Sequence, residues 1–423
     1  MSAWTHQRWF LAAIGMLGLC AALHAQAPKP ERGGPPDDAE VIEVPNLHPF
    51  QRALYLSSRS GAEWLWNSNR PDGVFVPGHI PSLNVVLEDD DLLLQARGAY
   101  GLARSANFHG SERYAVRARQ AILSLLASTK TDPDDAKVRF SVPPSSQVNR
   151  LAAASWMVLA IQELPEPGQD LLDQSEELCN YLRKQQKPDG SFDIWDGGEP
   201  ASGAGEVQLG YPGLAILALL RSQARQPAQW KLQAARAGFE REHKAWLQSK
   251  SVQVAASLTP AGTELFLATK ERPIADAVFE MGDWLCGLQY GANPRRALWQ
   301  GGFRSTHKGQ VVESPPGAEA SHCAEALADA CRVARAAVDL QRFARYREAT
   351  ERSLHFLTTL QYTAANTRHF VDWYQPRLIG AFYLSHQDGK VRIDSTQAAV
   401  CGLTQYLRHV AQLPVSSKHA ANP

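Results

Sequence analysis

Acidic residues recur at one kind of place in this sequence, just after a turn and just before a long helical stretch. Asp90 and Asp91, Glu206, Glu319 and Asp394 all stand there, and Asn149 and Arg150 take the same place ahead of another stretch. Carboxylates facing one another across a cleft are what a general acid and base require, because proximity and burial drive their pKa values apart. On that chemistry Asp90 or Asp91 and Glu206 supply acid and base, Asp394 assists, and Arg150 or Arg392 holds an anionic or hydroxyl group. Trp195, Trp373 and Tyr374, in the preceding loops, offer flat rings for a sugar face or an isoprenoid to stack on. His79, Glu319 and His322 complete the expected substrate-binding set. The same acids have a second reading, since a carboxylate in the first helical turn complements the helix dipole and caps free N–H groups. Repeated units inherit their caps, so recurrence alone does not separate the two.

Other chemistries lack their signatures. The sequence has no G-x-S-x-G elbow, no Gly-rich phosphate loop after a strand, no H-E-x-x-H and no EF-hand loop. No metal and no cofactor is expected: a tetrahedral zinc site needs three or four convergent ligands. Asp329-Ala330-Cys331 supplies at most two, and the last helix, from Asp394 to Cys401, carries no His.

The elements that must position these residues are almost all helical. Apolar residues at i, i+3, i+4 and i+7 predict twelve helices, over 48–67, 88–107, 112–129, 146–163, 168–186, 206–224, 228–248, 260–270, 273–290, 319–338, 344–362 and 394–411. Residues 1–27 read as a cleaved signal peptide: Arg8 precedes the apolar run Trp9–Leu23, and Ala25-Gln26-Ala27 is a small-x-small cleavage site. This predicts a secreted or periplasmic protein without an integral membrane segment after removal of the leader. A Pro/Gly-rich linker over 28–46 and a disordered tail over 413–423 flank one domain at 47–412. The 423 residues carry 43 Lys+Arg against 43 Asp+Glu, which excludes a basic nucleic-acid face and leaves a small molecule or glycan as the expected partner. Cys179, Cys286, Cys323, Cys331 and Cys401 are widely spaced within helical patterns and read as buried thiols.

Six helical hairpins of about 61 residues would fill the domain, and a recurring plan supports the division. One unit runs Trp64-Leu65-Trp66, then Pro71-Asp72-Gly73-Val74-Phe75. Another runs Tyr181-Leu182 to Gln186, then Pro188-Asp189-Gly190-Ser191-Phe192. Leu288-Gln289 with Gly301-Gly302-Phe303, and Leu360-Gln361 with Gly380-Ala381-Phe382, repeat it. Residues 137–140 are a worn version in the second unit, and the fourth unit has none. In three of the four a helix ends on an aliphatic or aromatic residue and Gln, and in all four Gly makes the turn and Phe packs back as a wedge between helices. The second helix of a pair is rich in Ala and Gly, which suits an inner ring where helices crowd together.

Gln186-x-x-x-Gly190-x-Phe192 resembles the Q-x-G-x-W repeat of the terpenoid cyclase and protein prenyltransferase toroids, with Phe in place of Trp. The resemblance implies an all-α (α/α)6 toroid, a fold that six-hairpin glycosidases and polysaccharide lyases share. It does not choose among their chemistries. Three functions stay open: a secreted carbohydrate-active enzyme working by hydrolysis or β-elimination, a terpenoid-cyclase-like protein with an apolar lumen and one buried acid, and a non-catalytic binding or scaffold toroid.

Overall fold

The apolar periodicity is realised as twelve α-helices among the described residues: α1 (Pro49–Ser68), α2 (Leu92–His109), α3 (Glu112–Ala127), α4 (Arg150–Glu163), α5 (Gln169–Lys184), α6 (Tyr211–Arg225), α7 (Gln229–Gln248), α8 (Val252–Thr269), α9 (Arg272–Leu288), α10 (Ala320–Ala336), α11 (Leu340–Thr359) and α12 (Ile393–His409). The computed structural model describes residues 44–88, 91–144, 147–195 and 206–413. The expected signal peptide, the linker up to residue 43, Asp90, the side chain of Glu206 and the tail beyond Leu413 lie outside the described residues.

The even-numbered helices form a closed inner ring. Each packs against the next from α2 to α12, and α12 returns to α2. The odd-numbered helices lie outside, each in the groove between two inner ones; α1, for example, touches both α12 and α2. This is the (α/α)6 toroid. Inner and outer positions follow from side-chain chemistry. Inner α4 is buried from Leu151 to Glu163, so it needs no polar face, whereas outer α5 buries only a stripe including Leu171, Leu178 and Leu182.

Five helix starts differ from expectation by four residues or more, those of α2, α4, α6, α8 and α11, and two of them have clear local reasons. Helix α2 starts at Leu92 rather than at residue 88, because Asp91 takes the extended N-cap conformation and its Oδ1 accepts the Leu94 N–H at 2.7 Å. Helix α8 starts at Val252, eight residues before its expected start, and carries Pro260 inside. Proline favours first turns, so Pro260 reads as a helix start. Here it sits mid-helix, which leaves the Ala256 carbonyl without an N–H four residues on.

Short strands, not foreseen in the helical pattern, build the loops that enter the inner helices. β1 (Gly78–Ile80), β2 (Val85–Val86), β7 (Tyr383–Ser385) and β8 (Asp388–Arg392) form an antiparallel sheet in the order β2-β1-β8-β7, which ties the first loop to the last. β3 (Thr129–Thr131) pairs with β4 (Arg139–Ser141), and β5 (Ser305–His307) with β6 (Gln310–Val312). The fourth hairpin has no such loop: only residues 249–251 join α7 to α8.

The repeated turn is a staple between successive hairpins. Gln186 pairs with Phe192, Gln289 with Phe303 and Gln361 with Phe382 in isolated bridges, and Asn69 pairs with Phe75 in the first unit. Gln361 Nε2 donates to its own turn at the Gly380 carbonyl (3.0 Å) and across to the Ser57 carbonyl of α1 (3.0 Å). Gln289 does the same with Gly301 and with Ala349 of α11, and Gln186 with Gly190 and with Ala234 of α7. The turn glycines have φ between +86° and +98°, and a Cβ on Gly301 would collide with the Arg352 carbonyl of the neighbouring outer helix. All four Phe wedges are buried, at 6% exposure or less. Each contributes about 2–3 kcal/mol by removing its ring from water.

Candidate active site

The loops entering the inner helices gather at one end of the ring. The N-terminal halves of the inner helices there enclose a cavity of about 580 Å³. Three residues singled out in the sequence line it: Glu319, His322 and Asp394. Others that line it, Arg97, Tyr100, Trp156, Tyr211 and Glu325, look in sequence like ordinary helix content.

Helix α10 contributes a stripe. Glu319, His322 and Glu325 are spaced by three residues, so they follow one face of the helix down into the cavity. Glu319 retains solvent through the mouth, yet the surrounding walls displace enough bulk water to raise its pKa, despite the Gly317 N–H donated to its Oε1 at 2.9 Å. Burial holds the His322 ring at about 4, with Arg97 adding to the effect and Asp394 opposing it, so the imidazole is neutral at neutral pH. Burial also raises Glu325, against the pull of the Arg104 guanidinium, which donates to its Oε1 at 2.7 Å.

Asp394, in the first turn of α12, is fixed differently. Arg392 Nε donates to its Oδ1 at 3.1 Å, Arg97 Nη1 approaches Oδ2 at 3.5 Å, and the Ser395 N–H also donates to Oδ1 at 3.0 Å. The cavity therefore holds one carboxylate bracketed by guanidinium groups and two that burial favours in the protonated form. Such a division suits acid and base roles.

The ring order places α4 opposite α10 and α6 opposite α12. On that far wall the described lining residues are Trp156, Leu159, Val207, Gly210, Tyr211, Leu214 and Leu217, none of them carboxylate or cation. Below the cavity, in the C-terminal halves of the inner helices, charges meet around the axis. Arg104 donates to Gln405, Gln405 to Asp329 (2.6 Å), and Arg332 to Asp329 (2.7 Å) and Glu264 (2.8 Å). Arg221 pairs with Glu264 and Glu163. Asp329 and Cys331 of the D-x-C sequence part company here, because the Cys331 thiol faces the Phe343 carbonyl. Among the described residues no cluster of three metal-ligating side chains occurs, and no helix is long and apolar enough to cross a membrane. The five described cysteines are free thiols, all buried except half-buried Cys286.

The remaining sequence candidates whose side chains are described are not among the residues lining the cavity. Asp91 is exposed and caps α2. Arg150 opens α4, where its Nε donates to the Pro143 carbonyl and its guanidinium covers the Phe140 ring at 4.8 Å. His79 sits in β1, edge-on to Tyr374 at 6.4 Å. Tyr374 itself is 2% exposed among Phe370 and Trp373, while Trp373 is 59% exposed and covered on one face by Arg377. The Trp195 N–H donates to Asp193 Oδ1 within its loop. Arg392 acts on the cavity through Asp394. Asp90 and the side chain of Glu206 lie outside the described residues, so their expected roles find no geometry to meet.

No protein-family model and no curated protein sequence matches the chain. Solved structures do match in fold. An α-1,6-mannanase from Salegentibacter sp. HEL1_6, as an inactive variant in complex with α-1,6-mannotriose, aligns with a TM-score of 0.58 at 11% identity, over 83% of this chain and 98% of that one. An unsaturated glucuronyl hydrolase specific for heparin gives 0.59 at 12%, over 86% and 99%. A D-mannose isomerase gives 0.61 at 11%, over 86% and 100%. These are α/α toroid proteins, and at such identity the likeness establishes the fold.

Proposed function

We propose that this chain is a carbohydrate-processing enzyme whose active site is the cavity at the mouth of the ring, and that it works outside the cytoplasm. The observation that carries the reading is the convergence of Glu319, His322 and Asp394 on one cavity from adjacent inner helices. Glu319, exposed at the mouth but with its pKa raised by the walls around it, is suited to deliver a proton to a leaving or ring oxygen. Asp394, locked by Arg97 and Arg392, presents a fixed carboxylate as base or as a stabiliser of developing positive charge. Neutral His322, between them on the cavity wall, can accept or donate a hydrogen bond to a hydroxyl without adding charge.

Charge balance supports a neutral saccharide over a uronate. Arg97, the one cationic side chain among the described lining residues, lies 3.5 Å from Asp394, and the other charged groups described there are carboxylates, with His322 neutral. Hydrolysis or another proton-transfer reaction of a neutral sugar therefore suits the site better than β-elimination, which must neutralise a uronate carboxylate. An isoprenoid cyclase predicts an apolar lumen with one acid, and the carboxylates and imidazole on α10 and α12 weigh against it. The leader-like sequence of residues 1–27 supports export.

The test is a saccharide panel read for new reducing ends, for aldose–ketose interconversion and for the absorbance of unsaturated uronates, with Glu319→Gln and Asp394→Asn as controls. Turnover of a neutral sugar lost in both variants is the expected result. Turnover that survives both substitutions, or no turnover and no saccharide binding by the folded protein, would overturn the proposal.

A further inference from the structure

The two walls of the cavity differ in kind, and the difference specifies more of the substrate than a sugar ring alone. The α10–α12 wall carries Glu319, His322 and Asp394, whereas the facing α4–α6 wall presents Leu159, Leu214 and Leu217 beside Trp156 and Tyr211. An aromatic ring suits the C–H face of a sugar, but every edge of a sugar carries hydroxyls. Hydroxyls pressed against leucine side chains would lose water without gaining a partner, at a cost of about 1–3 kcal/mol each. At about 580 Å³ the cavity also has the size of a site for a drug-sized ligand, with room beyond one sugar ring.

We propose that the substrate is a neutral saccharide bearing an apolar substituent, an aryl, alkyl or acyl group, with the sugar against α10 and α12 and the apolar group against α4 and α6. This rests on the saccharide reading above and deepens it. The occupant is a small amphipathic glycoside or ester. A uniformly polar oligosaccharide would leave the leucine wall in contact with hydroxyls.

The experiment compares binding of matched methyl and 4-nitrophenyl glycosides of mannose, glucose, galactose and N-acetylglucosamine, with 4-nitrophenol alone as a further probe, by calorimetry on the intact protein. For the sugar that binds, the aryl glycoside should bind about ten- to a hundredfold more tightly than the methyl glycoside, from the apolar area it buries. Leu217→Gln, at a half-buried lining position, should erase most of that ratio, and Leu217→Met should retain it. Equal affinity for the two glycosides would overturn this inference and leave the saccharide reading standing. Binding of 4-nitrophenol as tight as that of its glycosides, or binding of none of the probes, would overturn both.

Discussion

Glu264 offers the sharpest check on the electrostatics of the inner ring. Its carboxylate, on α8, accepts from Arg332 Nη1 at 2.8 Å and pairs with Arg221 at 3.2 Å. Burial alone would raise its pKa, but the guanidinium groups of Arg221, Arg332 and Arg104 outweigh burial and hold it at about 2, against 4.5 for a free Glu. The folded state thus prefers the ionised form, so the group's contribution is fully present above pH 4.5 and is lost as pH falls toward 2. The difference corresponds to about 3 kcal/mol at pH 7 and about 1 kcal/mol at pH 3. The raised pKa values of Arg221 and Arg332 express the same contacts and add nothing further. Glu264→Gln should therefore destabilise the protein by about 3 kcal/mol at pH 7 in urea unfolding, and the gap to the parent should shrink steadily below pH 4.5. A variant as stable as the parent at pH 7, or a deficit that stays constant down to pH 3, would refute the reasoning.

Three further outcomes can be measured. Gly301→Ala, which combines a φ of +89° with a collision against the Arg352 carbonyl, should cost about 2–4 kcal/mol in urea unfolding. Asp91→Ala should cost about 1 kcal/mol through the lost α2 cap, whereas Asp91→Asn, which can still cap, should cost only a few tenths; equal losses would argue against capping. If Glu319 delivers a proton, the rate of the proposed reaction should fall with rising pH along a limb displaced above the usual Glu range, and Glu319→Gln should remove that limb from the pH–rate profile.

What the sequence could tell depended on whether the signal was periodic. The helices, their pairing and the Gly–Phe staple are all repeated features, and twelve helices and four such turns occur in the order the pattern gives, with shifted starts such as that of α8. Glu319, His322 and Asp394 were legible because topology alone sends the starts of inner helices to one mouth. Glu325 was within reach too, as the next step of the same three-residue spacing on α10. Trp156 and Tyr211 were not, since an aromatic residue in an apolar helix looks the same whether it packs in the core or lines a cavity. The floor was hidden for the opposite reason: Arg104, Arg221 and Glu264, read singly, look like solvated charges on a helix face. Position alone does not decide the role of Asp91, because a place at a helix start is shared by caps and by site residues, and its Oδ1 accepts the Leu94 N–H. The strands, two to five residues long, are too short to show alternation.

The floor and the site are one electrostatic unit rather than two neighbouring ones. Small residues bring the inner helices together, and long side chains then fill the axis, so Arg104 from α2 reaches Glu325, Tyr100 and Gln405 at once. Glu325 belongs to the cavity stripe, while Gln405 hands the chain of contacts on to Asp329 and Arg332. Replacing such a network by apolar residues is often neutral or stabilising, so stability alone does not account for it. Its consequence for the site is the placement of charge. Arg104 is held from below by the Gln405 side chain, and it draws down the pKa of a carboxylate that burial otherwise raises. Burial thus sets the direction of the Glu325 shift, and Arg104, which is not among the described lining residues, moderates it from below.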